Sequence, residues 1–143
     1  MSNFSECLKE CIIEKEISQS KLAESTGISH CNISSFISGK HLPYFEHFVA
    51  LLDFFNCSAD YLLGLTELHT EEPLHPVPPF DKRLREILKE YNTSQGKLIR
   101  ELPVSASVLY YWLSGKRQPT IPMLIKLAEY FDCSVDYLIG RIK

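Results

Sequence analysis

The stretch SQSKLAESTGISHCNISSFISGK, residues 18–40, decides the fold. Ser18 stands where an N-cap belongs, before a helix that runs from Gln19 to Thr26. A serine hydroxyl there can accept from a backbone N–H that the first helical turn leaves unpaired. Gly27 ends that helix, because glycine enters positive φ without a steric penalty. Ser29 caps the next helix, the third of its domain, with Ile33, Phe36 and Ile37 on one face, and Gly39 closes it. Upstream, Phe4, Leu8, Cys11 and Ile12 fall on one helical stripe. Downstream of Pro43, Phe48, Leu51, Leu52 and Phe55 form another, and Ser58 caps a short last helix through Leu63. Strand-like alternation is nowhere to be read, so the class is all-α.

The chain then repeats itself. SQGKLIRELPVSASVLYYWLSGK occupies residues 94–116, and Phe4 and Phe80 stand 76 positions apart, an offset that holds without a gap to Gly64 and Gly140. About a third of the paired positions are identical, among them Cys57-Ser58 with Cys133-Ser134 and Asp60-Tyr61-Leu62 with Asp136-Tyr137-Leu138. Self-similarity of this kind marks a duplicated unit. The organisation expected is a first domain over 1–65, a linker over 66–79 and a second domain over 80–143. Pro73, Pro76, Pro78 and Pro79 make the linker extended rather than helical. At about 3.1 Å per residue such a segment reaches on the order of 40 Å.

Composition is that of an ordinary globular protein, and no apolar run approaches the roughly 20 residues of a membrane helix. The first residues carry Glu6, Glu10 and Glu14 and lack a basic-then-apolar leader, so a cytoplasmic location is expected. The five cysteines, an odd number without a CxxC pair, fit a reducing compartment better than a disulfide framework. Cys7 and Cys11 are spaced i, i+4, but no Cys/His set has structural-zinc spacing, and neither a metal nor any other cofactor is expected. The net charge of −3 hides an asymmetry: residues 1–67 hold four lysines against nine acids, while residues 80–143 hold eleven Lys and Arg against seven.

Gln19, Ala23, Gly27, Ile28, Ile33 and Phe36 lie at the spacing typical of Cro and phage lambda repressor-like regulators, and the chain resembles a tandem pair of such five-helix helix-turn-helix domains. The resemblance extends over nearly all of the chain outside the linker. It implies that the third helix of each domain enters a DNA major groove. In the first domain it places His30, Cys31 and Ser35 toward bases, with Asn32 and Ser34 beside them. Gln19, Lys21, Ser38 and Lys40 fall at backbone-contacting positions. In the second domain the outward residues are Ala106, Ser107 and two adjacent tyrosines expected to be exposed, Tyr110 and Tyr111. Gln95, Lys97, Ser114, Lys116 and Arg117 are the backbone contacts there. This domain departs from the pattern at Pro103, which replaces Gly27, and at Ile99, which replaces Ala23. Its turn, between helices expected over 95–102 and 105–113, should therefore be opened or shifted.

The function implied is sequence-specific binding of double-stranded DNA by a transcriptional regulator, a repressor that occupies its operator. A homodimer or another regulatory protein is the further partner to consider, and no membrane is involved. The alternative is a protein-interaction module, antirepressor- or antitoxin-like, that uses Tyr110, Tyr111 or the acidic first helix. The other reading of His30 is a solvated surface residue, whereas Phe36 and Trp112, paired in the repeat, belong to the core. No phosphate loop or nucleophile–base pattern is present, and no self-cleaving or ligand-sensing domain is expected, so the chain is read as a non-enzyme.

Overall fold

A computed structural model describes residues 3–143; Met1 and Ser2, counted above in the first domain, lie outside them. Among the described residues the regular elements are all α-helices, and the chain divides into two compact units, one ending at Leu74 and the other running from His75 to Lys143. The first unit contains α1 (Phe4–Lys15), α2 (Gln19–Thr26), α3 (His30–Ser38), α4 (Phe45–Phe55) and α5 (Ala59–Leu62). The second contains α6 (Phe80–Glu90), α7 (Gln95–Glu101), α8 (Ala106–Ser114), α9 (Ile121–Phe131) and α10 (Val135–Ile139).

Local chemistry sets the helix ends. The hydroxyls of Ser18, Ser29 and Ser58 accept from the backbone N–H three residues on, and Ser94, Ser105 and Ser134 repeat this in the second unit. Helix ends follow the same offset: Glu16 and Asn92, Gly39 and Gly115, Asn56 and Asp132, and Gly64 and Gly140 all take positive φ. Among the described residues, only Gly27 has no such counterpart.

In the first unit, Phe4 packs edge-on to Phe36 and tilted against Phe48, each 6.2 Å between ring centres, over fully buried Leu8, Leu22, Ile33 and Leu52. In the second, Phe80 meets Trp112 edge-on at 6.4 Å above Leu84, Leu98 and Leu124. Ile12, Ile37 and Phe55, expected inside, are only half-buried, and the last helix of the first unit stops at Leu62.

The turn at Pro103 is rebuilt, but α8 is not displaced. Leu102 is extended (φ −113, ψ 152) where Gly27 is left-handed (φ 76), and α7 has seven residues where α2 has eight. Val104 N–H closes the turn on the Leu102 carbonyl at 2.7 Å. Ser105 then caps α8, which begins at Ala106 as α3 begins at His30, and both have nine residues. The expected helices 95–102 and 105–113 are corrected to 95–101 and 106–114.

Residues 66–79 contain no helix, yet each end of this stretch rests on its own unit. His69 stacks on Tyr61 with centroids 4.0 Å apart. His75 N–H donates to the Arg141 carbonyl at 2.7 Å, and Arg141 Nη1 returns a bond to the His75 carbonyl at 3.3 Å.

Candidate nucleic-acid interface

The outward side of α3 is built by anchoring its inward side. Ile33 and Phe36 are buried, which leaves His30, Cys31, Asn32 and Ser38 exposed and Ser34 and Ser35 half-buried. Gln19, at the start of α2, accepts from Ser34 Oγ through its Oε1 at 3.2 Å. That bond braces α3 against α2 and occupies the Ser34 hydroxyl. At the far end Gly39 turns the chain, the Ser35 carbonyl accepts from Lys40 N–H at 3.0 Å and from Ser38 Oγ at 3.1 Å, and Lys40 projects into solvent. Lys21 is exposed in the first turn of α2.

The corresponding surface of the second unit keeps this backbone frame and changes its chemistry. Leu109, Trp112 and Leu113 are buried, while Ala106, Ser107, Ser114, Lys116 and Arg117 are exposed. Lys116 N–H and Ser114 Oγ donate to the Tyr111 carbonyl, as their counterparts do to Ser35. The two tyrosines differ, contrary to the expectation of a matched exposed pair. Tyr110 is 61 % exposed, whereas Tyr111 is half-buried beneath the Arg117 guanidinium, 4.8 Å above its ring. Lys116 Nζ lies 6.0 Å from the Tyr110 ring centre. Gln95 is exposed rather than half-buried like Gln19, and the position of Ser34 is taken by Tyr110.

Residues 6–68 match a family model described as a helix-turn-helix domain, and residues 84–138 match one described as helix-turn-helix. The chain is a tandem pair of helix-turn-helix domains. No curated protein and no solved structure matches it. The family matches support a DNA-binding regulator in general terms.

One feature of the second helix-turn-helix domain escaped the sequence reading. Arg85, Lys89, Lys97 and Arg100 line an open cleft of about 610 Å³ together with the segment from Asn92 to Gln95. Arg85 Nη2 is tied to the Leu113 carbonyl at 2.8 Å, which fixes one cation beside the end of α8. Four cations around one concavity concentrate positive potential where the α7 backbone begins, an arrangement suited to an anionic backbone. The matching residues of the first domain are Lys9, Ile13, Lys21 and Glu24, whose charges sum to one positive unit rather than four. Aligning the repeats on charge exposes this difference, but that the four cations surround one cleft depends on α6, α7 and α8 meeting in space.

The cysteines divide by environment. Cys31 is exposed on the outward face of α3, whereas Cys7, Cys11 and Cys57 are buried. Burial, then the Glu14 carboxylate and neighbouring Cys7, push the Cys11 thiol up to about 11; Cys7 is also raised, first by burial and then by Glu10 and Glu6. Such thiols stay protonated at neutral pH and behave as small core hydrophobes. Among the described residues, no group of three His, Cys, Asp or Glu side chains could hold a metal ion, and no helix is long and apolar enough to cross a membrane.

Proposed function

We propose that the chain is a transcriptional repressor of the cytoplasm that binds duplex DNA through both helix-turn-helix domains and acts by occupying its operator. The observation that carries this reading is the paired outward faces of α3 and α8, each held by a buried apolar face and flanked by the same Ser-Gly-Lys turn. His30, Cys31 and Asn32 are the base-reading groups of the first domain, with Ser34 and Ser35 supporting them. Ala106, Ser107 and Tyr110 are the readers of the second, with Tyr111 as the bed for Arg117. Gln19, Lys21, Ser38 and Lys40, and in the second domain Gln95, Lys97, Ser114, Lys116 and Arg117, address phosphates. Arg85, Lys89 and Arg100 join that second group.

Because the two faces carry different side chains, the preferred site consists of two unlike half-sites. The test is selection of bound duplexes from a random library by the intact chain at moderate salt. Enrichment of two unlike half-sites supports the reading. A perfect palindrome would instead assign reading to one domain in a homodimer. If the folded protein enriches no sequence, the repressor reading is overturned and the protein-interaction alternative takes its place.

A further inference from the structure

We propose that the second domain selects its half-site by the 5-methyl groups of thymine, a specificity that rests on the DNA-binding reading above. The proposal comes from setting the two recognition faces side by side at the 76-residue offset between Phe4 and Phe80. Where the first domain presents His30, Cys31, Asn32 and Ser34, the second presents Ala106, Ser107, Val108 and Tyr110. An imidazole, a thiol and an amide are thus exchanged for a methyl group, a hydroxyl and a half-buried isopropyl group. A hydroxyl that Gln19 engages gives way to an aromatic ring 61 % exposed.

No amide, carboxylate or guanidinium remains on the first turn of α8 to make the two-point hydrogen bonds that read guanine or adenine. The Ser107 hydroxyl pairs with either kind of base edge and discriminates little. What this face offers is apolar surface, and the thymine methyl is the apolar group of the unmodified major groove. The face is also held in place for such a contact. Tyr110 and Tyr111 pack edge-on at 5.9 Å between centroids, and Tyr111 is covered by Arg117. Ala106 and Tyr110 are four residues apart on one helix and therefore share a face.

The experiment replaces thymine by uracil, one position at a time, in the half-site assigned to the second domain, and measures affinity by titration of the intact protein. Losing a buried methyl at a contacted position should weaken binding roughly fourfold, the value of one methyl-sized transfer from water. The paired variants Ala106→Gly and Tyr110→Ser should bind thymine and uracil duplexes equally. Both positions are exposed, and serine is what the first domain carries in place of Tyr110, so the fold is retained. Indifference of the wild-type protein to uracil across that half-site overturns the proposal while leaving DNA binding intact. Discrimination that survives in the double variant overturns it too, as does an equal loss on uracil opposite α3. A gain on 5-methylcytosine without a loss on uracil would assign the methyl to cytosine and overturn the thymine assignment. Failure to bind any duplex overturns the DNA-binding reading itself, and the proposal with it.

Discussion

Replacing Lys97, Arg100, Lys116 and Arg117 together by alanine should flatten the salt dependence of DNA binding far more than replacing the cations at the matching positions of the first domain. All four side chains are exposed, and the first two line the cleft between α6 and α7. Each cation that neutralises a phosphate releases about 0.9 of a counterion, so four of them contribute up to about 3.6 to the slope of log affinity against log salt. Between 50 and 200 mM salt, a slope smaller by that amount spares roughly 150-fold of the affinity otherwise lost. In the first domain the matching residues are Lys21, Glu24, Lys40 and His41, so the Lys21/Lys40 pair can remove at most about 1.8. The fold should survive, because Arg117 and Lys116 hold only exposed ring contacts, each worth about 0.5–1 kcal/mol. The assay is fluorescence anisotropy with a labelled duplex across that salt range, with circular dichroism to verify the fold. An unchanged slope in the fourfold variant would refute the reasoning, as would a first-domain pair that costs as much as the second-domain four.

Two smaller perturbations probe the frame. At Gly27 (φ +76) an added Cβ meets nothing within 4 Å, so Gly27→Ala should cost only the left-handed backbone, about 1 kcal/mol, or a fall of roughly 4–8 °C in the Tm of its domain. At Gly140 (φ +84) the same atom would come within 2.9 Å of Pro78, so Gly140→Ala should cost about 2–3 kcal/mol; a shift no larger than at Gly27 would show that Pro78 moves aside freely. Thiol labelling at pH 8 should modify exposed Cys31 first and Cys11 last, and saturating duplex should slow the reaction at Cys31; an equal rate with and without DNA removes α3 from the interface. Raising the pH should also destabilise the first domain. From the ordinary value of 9.0 toward about 11, an unfolded thiol ionises while folded Cys11 keeps its proton, so the unfolded state gains the advantage.

Much of the frame was legible because it is written in local chemistry. The serine caps and the glycine stops at Gly27 and Gly39 act within a few residues of themselves, and the structure places them as their sequence context implies. The left-handed residues Glu16, Asn56, Asn92 and Asp132 were not legible as such. Their conformation comes from closing a helix end, as when Asp132 N–H reaches back to the Glu129 carbonyl at 3.1 Å; Asn and Asp favour it, whereas Glu16 carries no such preference. Pro103 was visible as a departure that should open or shift the turn, but how the turn would be rebuilt was not. The extended Leu102 absorbs the loss of a left-handed residue, and Ser105 restarts the helix in the old register. The exposure of Tyr110 against the cover on Tyr111 depends on where Arg117 comes to rest after the Gly115 turn, which helical spacing alone does not fix.

The two domains have diverged under different constraints inside and out. Core pairs change shape while conserving bulk. Phe36 becomes Trp112 as Phe48 becomes Leu124, and Phe4 and Phe80 keep an edge-on aromatic partner in each case. Volume-compensated exchange of this kind costs a packed interior little. Pairs outside the core show no such compensation: Ile13 becomes Lys89, Glu24 becomes Arg100, His30 becomes Ala106 and half-buried Ser34 becomes Tyr110. A requirement for folding alone accounts for the first set, but it does not call for a cleft with four cations in one domain and not in the other. A symmetric operator would require two equal readers, and these faces are unequal in both charge and hydrogen-bonding chemistry. If both read, the first domain contributes most of the hydrogen-bonded selection of bases and the second most of the attraction to the backbone. The operator they share must then be asymmetric.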